Sequence, residues 1–228
     1  MNELRKNELI RLISETGYTT VKYLAAQLYT SESTIRRNLS ELEHLGYVKR
    51  SYGGVELYGH DKKVPIKLRY QQNHKQKDSI AKQAVSKLHD NSVIFIDGST
   101  TCICMIPYMK QFKNITVYTN SLEACTLLAE VGISVYSLGG KLLIRSMAFV
   151  GEYAVQMVES LYFDDLFFSC GGYANNIVTD YSEPEAHLRR ALLKQSRNKY
   201  LLCDSSKLNH SCNYIICKAS DLTEIITD

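Results

Sequence analysis

Between residues 31 and 45 the apolar side chains Ile35, Leu39, Leu42 and Leu45 recur at intervals of four, three and three. That spacing keeps one face of an α-helix turned inward along its whole length. At about 100° per residue, the opposite face is centred on Ser33, Arg37, Ser40 and His44, with Arg36 on its flank. The flanking segments narrow the possibilities further. Leu9, Ile10, Leu12 and Ile13 give a first helix its apolar face, and Gly17 stops it. Thr20 caps a second helix whose buried stripe is Val21, Leu24, Ala25 and Leu28. Tyr29 and Thr30 make a turn, Ser31 caps the third helix, and Gly46 ends it. Residues 47–50 and 55–58 then flank Ser51, Tyr52, Gly53 and Gly54 as a hairpin with a glycine-rich tip, and no convincing core strand precedes Tyr47.

Two capped helices, a short turn, a third helix with a basic outer face and a hairpin, in that order, predict a winged helix-turn-helix. Long guanidinium forks take guanine edges or phosphates in bidentate fashion, while short hydroxyls permit close approach to a duplex. The candidate DNA contacts are Thr20, Ser31, Ser33, Thr34, Arg36, Arg37, Ser40 and His44, with Lys49, Arg50 and the Gly53 backbone on the wing. The alternative is a three-helix subdomain whose arginines are simply solvated. Net charge does not decide, because +3 and a pI near 8.4 are only mildly basic.

An apolar fraction of 45% and a charged fraction of 22% are ordinary globular usage and exclude a disordered or fibrous chain. No window approaches the roughly 18 apolar residues of a membrane helix, and residues 1–6 are charged with no apolar run behind them. The expected location is the cytoplasm, with no membrane partner. The seven cysteines are odd in number and lack metal-ligand spacing, so they are expected to be buried thiols in a reducing compartment. Neither a metal nor a cofactor is expected.

The pattern shifts along the chain. Residues 1–58 form the expected reader, and 59–78 a basic linker, helical after Pro65, carrying Lys62, Lys63, Lys67, Arg69, Lys75 and Lys77. Residues 79–228 form an α/β domain, because strand-like runs at 92–97, 115–119 and 133–138 alternate with helical periods at 79–88 and 121–130. Further strands are expected at 166–169, 200–203 and 214–217, and a helix at 184–196. Such alternation predicts a mostly parallel sheet covered by helices.

Polar clusters close several of these strands, where open α/β sheets bind ligands. Asp97, Gly98, Ser99, Thr100 and Thr101 follow one run, Thr119 and Asn120 the next, and Gly139 and Gly140 the third. Glycine supplies a tight turn, while amides and hydroxyls cradle an anion. Taken singly, each cluster is equally an ordinary strand-to-helix turn. Gly171, Glu185, Arg189, Asp204 and Lys207 complete the candidate effector set, with the two cations suited to phosphate. Glu185 and Arg189 read equally well as a surface i,i+4 pair.

The run from Thr30 to Leu39, then Leu42-Glu43, Gly46 and residues 50–55, resembles the N-terminal signature of the DeoR family of bacterial transcriptional regulators. Asn38 stands where that family commonly has Asp, and Tyr52 where it often has His. The resemblance continues through the Asp97 loop, the Thr119-Asn120 pair and the Asp204–Lys207 segment, and so covers nearly the whole chain. Ser169 to Gly172 replaces a more glycine-rich segment, and Arg189 stands where many relatives carry Lys. The resemblance implies a C-terminal domain similar in fold to ribose-phosphate isomerases and coenzyme A transferases, which binds phosphorylated sugars and catalyses nothing.

The expected function is therefore a regulator, a repressor of a carbohydrate operon. Its partners would be double-stranded operator DNA, a phosphorylated sugar and further copies of itself as a dimer or tetramer. Two alternatives stand beside it. One is a sugar-phosphate isomerase with Asp97, Glu185 or Asp204 as base and Lys207 as electrostatic partner. The other is a constitutive DNA-binding protein whose large domain only oligomerises.

Overall fold

The computed structural model describes residues 3–44, 47–51, 54–57 and 66–228. The chain divides into two compact units, Met1–Arg69 and Tyr70–Asp228.

In the first unit α1 (Glu3–Thr16) leads into β1 (Tyr18–Thr19), α2 (Val21–Gln27) and α3 (Glu32–His44), followed by β2 (Val48–Ser51) and β3 (Gly54–Leu57). Gly17, at φ +72°, ends α1 by donating its amide to the Ile13 carbonyl. Leu9, Ile10, Ile13, Leu24, Ile35, Leu39 and Leu42 are buried together against Val48 and Val55. The three helices thus close on the hairpin around one apolar core. β1 was not foreseen, since two residues show no period. It pairs antiparallel with β3, Thr19 opposite Val55, and a Cβ on Gly54 would lie 2.4 Å from the Tyr18 ring. The chain continues through α4 (Ile66–Gln71), at which the division between the units falls.

The second unit begins with α5 (His74–Val85), which takes the last residues of the expected linker into an ordered helix. Lys77 is buried there, its ammonium donating to the Gln72 carbonyl at 2.7 Å. After it come β4 (Val93–Ile96), α6 (Thr100–Ile103), β5 (Thr116–Thr119), α7 (Leu122–Glu130) and β6 (Ser134–Ser137). A hairpin of β7 (Lys141–Leu143) and β8 (Ala148–Val150) leads to α8 (Glu152–Glu159) and β9 (Phe163–Phe168). The remaining elements are β10 (Gly172–Ala174), β11 (Ile177–Asp180), α9 (Glu183–Lys194), β12 (Ser196–Leu202), β13 (Tyr214–Lys218) and β14 (Glu224–Ile226).

Six strands form a parallel sheet in the order β14-β12-β9-β4-β5-β6. Period-two alternation sends Ile94 and Ile96 into a core with α5, α6 and α7, and Phe95 into a second core with α8 and α9. Both faces are covered, which is why these strands read as nearly continuous apolar runs. The segment at 214–217 is a strand, but it does not join this sheet. It pairs antiparallel with β11 in a separate β10-β11-β13 sheet, and β14 is the sixth parallel strand. The chain runs from β4 through β5 to β6 on one side, then returns to β9, β12 and β14 on the other. The order therefore reverses between β4 and β9, a position that opens a crevice at the carboxyl ends of the strands.

Candidate functional site

Side-chain caps set α2 and α3 of the first unit. Thr20 Oγ1 accepts the Tyr23 amide at 3.2 Å, and Ser31 Oγ accepts the Thr34 amide at 3.2 Å. Thr34 Oγ1 lies 2.9 Å from Ser31 Oγ, as does Ser33 Oγ, so these hydroxyls knit the start of α3. Between the two helices Tyr29 takes the left-handed conformation at φ +46°. With Ile35, Leu39 and Leu42 buried, Ser33, Arg36, Arg37, Ser40 and His44 are all exposed. The two arginines differ in their surroundings. Arg36 is held by Glu32 at 3.1 Å, whereas Arg37 makes no hydrogen bond or ion pair with the described residues. Arg50 is tied to α3, its Nη1 donating to Ser40 Oγ at 2.7 Å and its amide to Glu43 Oε1 at 2.9 Å. Those bonds lace β2 to the recognition face and leave Lys49 exposed beside it. Asn38 is buried, and its Nδ2 finds no hydrogen-bond partner among the described residues. Gly53 lies outside the described residues.

In the second unit the candidate residues collect at the carboxyl edge of the parallel sheet. Arg189 projects from α9 and is buried with two carboxylates. Its Nε and Nη2 donate to Asp97 Oδ2 at 3.0 and 2.8 Å, and its Nη1 donates to Asp180 Oδ2 at 2.8 Å. Asp97 also accepts the Ser99 amide at 2.9 Å and the Ser169 amide at 3.2 Å, which bridges the ends of β4 and β9 across the point of reversal. Burial alone would raise the Asp97 pKa, but Arg189 and the Ser99 hydrogen bonds hold it below the ordinary carboxylate range. Burial likewise opposes the charge on Arg189, and Asp97, Asp180 and Glu185 more than restore it. Arg189 and Glu185 are thus buried, not a surface pair, and the guanidinium is committed to holding two strand ends together.

A second group continues from the first. Ser169 Oγ accepts from Lys207 Nζ at 3.1 Å, and Lys207 stands 3.5 Å from Asp204. Asp204 accepts from the amide and hydroxyl of Ser206 and, at 3.1 Å, from Asn73 Nδ2. Burial again works against this carboxylate, while Lys207, Ser206 and Asn73 keep its pKa low. Lys207 retains 23% side-chain exposure, against 6% for Arg189. Asn120 secures the third side, with Oδ1 accepting the Gly98 amide at 3.0 Å and Nδ2 donating to the Phe149 carbonyl. Ser99 caps α6 through the Cys102 amide, Thr119 Oγ1 accepts the Ser121 amide, and Thr100 is buried. Thr101 Oγ1 is buried and has no hydrogen-bond partner among the described residues.

Of the three candidate glycines, Gly140 and Gly171 serve packing and Gly139 does not. At Gly140, φ is +130° and a Cβ would meet the Val150 carbonyl at 2.5 Å, which seats the β7-β8 hairpin. A side chain on Gly171 would meet Cys212 Sγ and Tyr181 at 2.8 Å, and Gly139 faces open space. Sequence reasoning missed Asp180, Ser169 and Asn73. A signal for Asp180 existed, because Ile177-Val-Thr-Asp180 repeats the form of Ile94-Phe-Ile-Asp97 and Leu201-Leu-Cys-Asp204, an apolar strand ending in aspartate.

At the opposite edge, the amino ends of β4, β9 and β12 enclose a cavity lined by His89, Asp90, Asp164, Asp165, Arg197 and Asn198. Asp165 Oδ1 accepts from Asn198, but its buried Oδ2 has no hydrogen-bond partner among the described residues, and burial raises its pKa. A carboxyl whose folded pKa lies above its unfolded value costs stability when ionised, and that cost fades as pH falls through the raised value. Asp165→Asn is therefore expected to stabilise the protein by about 1 kcal/mol at neutral pH. The gain should vanish in urea titrations carried into the acid carboxylate range.

Residues 72–228 match the family model described as the DeoR C terminal sensor domain, and residues 5–60 match the DeoR-like helix-turn-helix domain. The lactose phosphotransferase system repressor of Staphylococcus epidermidis is 29% identical over 231 residues, which cover 98% of this chain and 91% of that relative. The HTH-type transcriptional regulator GolR of Listeria innocua is 31% identical over 227 residues, 98% of this chain and 89% of its own. Among solved structures, eIF2B delta from Chaetomium thermophilum aligns over 87% of this chain and 64% of that one, with a TM-score of 0.51 at 15% identity, a likeness of fold. Ribose 5-phosphate isomerase A from Methanocaldococcus jannaschii aligns over 60% of this chain and 55% of that one, with a TM-score of 0.45 at 16% identity.

Proposed function

Because the chain belongs to the DeoR family of transcriptional regulators, we propose that it represses a carbohydrate operon and releases its operator when a phosphorylated sugar binds the second unit. The observation that carries the ligand half is the partly exposed Lys207 side chain beside Ser169, at the carboxyl edge where Asp97, Gly98 and Asn120 already meet. In this reading Lys207 takes the phosphate, the Thr100 and Thr101 segment lines the site, and Arg189 acts at one remove by fixing Asp97. The relatives named for a lactose phosphotransferase system point the same way. Depressed pKa values at Asp97 and Asp204 make both poor general bases at neutral pH, which favours a sensor over an isomerase.

Ligand changes DNA affinity only through unequal affinity for two conformations. The element suited to carry that difference is the stretch before α5, because Asn73 is bonded to Asp204 and Ser206, the residues that lead into Lys207. One winged module covers a short half-site, so a dimer or tetramer on repeated half-sites is expected.

The test is a thermal-shift panel of phosphorylated sugars and their unphosphorylated parents on the full chain, with each stabilising compound then added to protein bound on a duplex selected from a random pool. At least one phosphorylated sugar should both stabilise the protein and release the duplex. Lys207→Ala should bind that sugar about tenfold more weakly, as expected for a lost charge-assisted contact. A panel with no such compound, or an unchanged affinity in Lys207→Ala, rejects this assignment of the site.

A further inference from the structure

The loops leaving β9 and β12 carry a pair of thiols as well as Ser169 and Lys207. Leu201 of β12 pairs in register with Phe168 of β9, and two residues further along the chains stand Cys203 and Cys170. Both cysteines fall in the same apolar layer as Leu201 and Phe168, and their sulfurs are 3.9 Å apart. Cys170 and Cys203 lie just past the ends of β9 and β12, whose backbones run about 4.8 Å apart, inside the Cα separation that a disulfide spans. Closing the 3.9 Å gap takes side-chain rotation together with a small shift of the two loops.

The two thiols are chemically unequal. The Cys170 thiol donates toward the Cys203 sulfur, and that hydrogen bond, helped by the Lys207 charge, draws the Cys203 thiol below its ordinary value. The same contact, together with burial, pushes Cys170 well above its own. Elsewhere burial simply suppresses thiolate, raising Cys102 far up and Cys217 to about 12. Cys203 is 0% and Cys170 5% exposed, so a peroxide must reach them during local opening of the loops after β9 and β12. With that access, a thiol drawn below its ordinary value and a second sulfur in contact pair as attacking and resolving cysteines.

We infer that Cys170 and Cys203 are an oxidisable dithiol, which a hydroperoxide converts to a disulfide joining β9 to β12 beside the Lys207–Ser169 contact. The Cys203 thiolate attacks a peroxide oxygen and the O–O bond breaks. This leaves a sulfenic acid on Cys203 and an alkoxide, or hydroxide from hydrogen peroxide, which takes up the thiol proton. The Cys170 sulfur then attacks the Cys203 sulfur, the S–O bond breaks, and hydroxide leaves as water with the proton of Cys170. Each thiol loses one electron and the peroxide gains two. Closure draws the sulfurs from 3.9 Å to about 2.05 Å, and Ser169 and Asp204, each adjacent in sequence to a bonded cysteine, shift with them. The cross-link stands independently of the proposed function, and its consequence for ligand binding rests on that reading.

The experiment treats the purified full chain with hydrogen peroxide, blocks remaining thiols under denaturing conditions with iodoacetamide, and maps the peptides. The expected product is a Cys170–Cys203 cross-link that dithiothreitol removes. Cys170→Ala should leave Cys203 as a sulfenic acid captured by dimedone, and Cys203→Ala should leave Cys170 unoxidised. Melting curves of the reduced variants establish that each is folded, and the parent map decides the matter if one is not. The inference is overturned if both cysteines of the parent remain alkylated, or if Cys203 is found joined to Cys212 instead. With any phosphorylated sugar that stabilises the reduced protein, oxidation should weaken binding severalfold. If no such sugar exists, the proposed function fails, while the peptide map still decides the cross-link.

Discussion

Arg189→Ala should destabilise the second unit by about 3–5 kcal/mol, measured as a shift of its urea midpoint at neutral pH. The size follows from what the truncation leaves behind. Asp97 and Asp180 are 2% and 0% exposed, and the guanidinium supplies both with their counter-charge. Removing it strands two carboxylates in an interior that cannot solvate them, and a buried charge without its partner is among the costliest defects a fold can carry. Arg189→Lys should fall between the two, because one ammonium cannot reproduce a planar fork that grips both carboxylates.

The pH dependence supplies an internal check. In the parent, Asp97 titrates below its unfolded value, so its stabilising contribution is complete above the ordinary carboxylate range and is lost as pH falls through the depressed one. In Arg189→Ala, burial is no longer opposed and the carboxyl takes up its proton more readily. The gap between variant and parent should therefore be widest near neutrality and narrow toward acid. A uniform gap, or a loss under about 1 kcal/mol at neutral pH, would show that Arg189 does not tie Asp97 to Asp180 in the folded state.

The reader was the more legible half of the chain, and the reason is physical. Its three helices each bury one stripe, so Ile35, Leu39 and Leu42 announce the face by spacing alone, and Thr20 and Ser31 announce the caps. The parallel strands β4, β5, β9 and β12 were legible as apolar runs because helices cover both faces. β13 is equally apolar in sequence, yet it pairs with β11, and nothing in five residues distinguishes the two outcomes. The β7-β8 hairpin, β10, β11 and α8 went unread because short strands and a two-turn helix carry too few periods.

For the candidate site the loops were visible while the chemistry inside them was not. Asp97 and Arg189 lie 92 positions apart, and no spacing rule indicates that they meet. Arginine at 189 reads as a phosphate ligand by type, but the fold encloses it and leaves the more exposed cation at Lys207. Three-dimensional proximity, not residue type, separates the group that can meet a ligand from the group that holds the wall.

On the DNA side the decisive comparison is between neighbouring arginines. Arg37→Ala should weaken binding to a selected duplex by about 1–3 kcal/mol if its fork meets a guanine edge. If the contact is to phosphate, the loss should be similar across sequences, and the slope of affinity against salt should shrink by about one ion. Arg36→Ala should cost a few tenths of a kcal/mol less, because Arg36 must first give up Glu32 to meet the duplex, and an exposed pair of that kind stabilises by only that much. Glu32→Gln discriminates further. It frees Arg36 and removes a negative charge from the start of α3, so it should strengthen binding, and that gain should disappear in the Glu32→Gln, Arg36→Ala double variant. Equal losses for Arg36→Ala and Arg37→Ala would mean that the surface pair with Glu32 does not persist on DNA, and that the free state is a poor guide to which fork reads the groove.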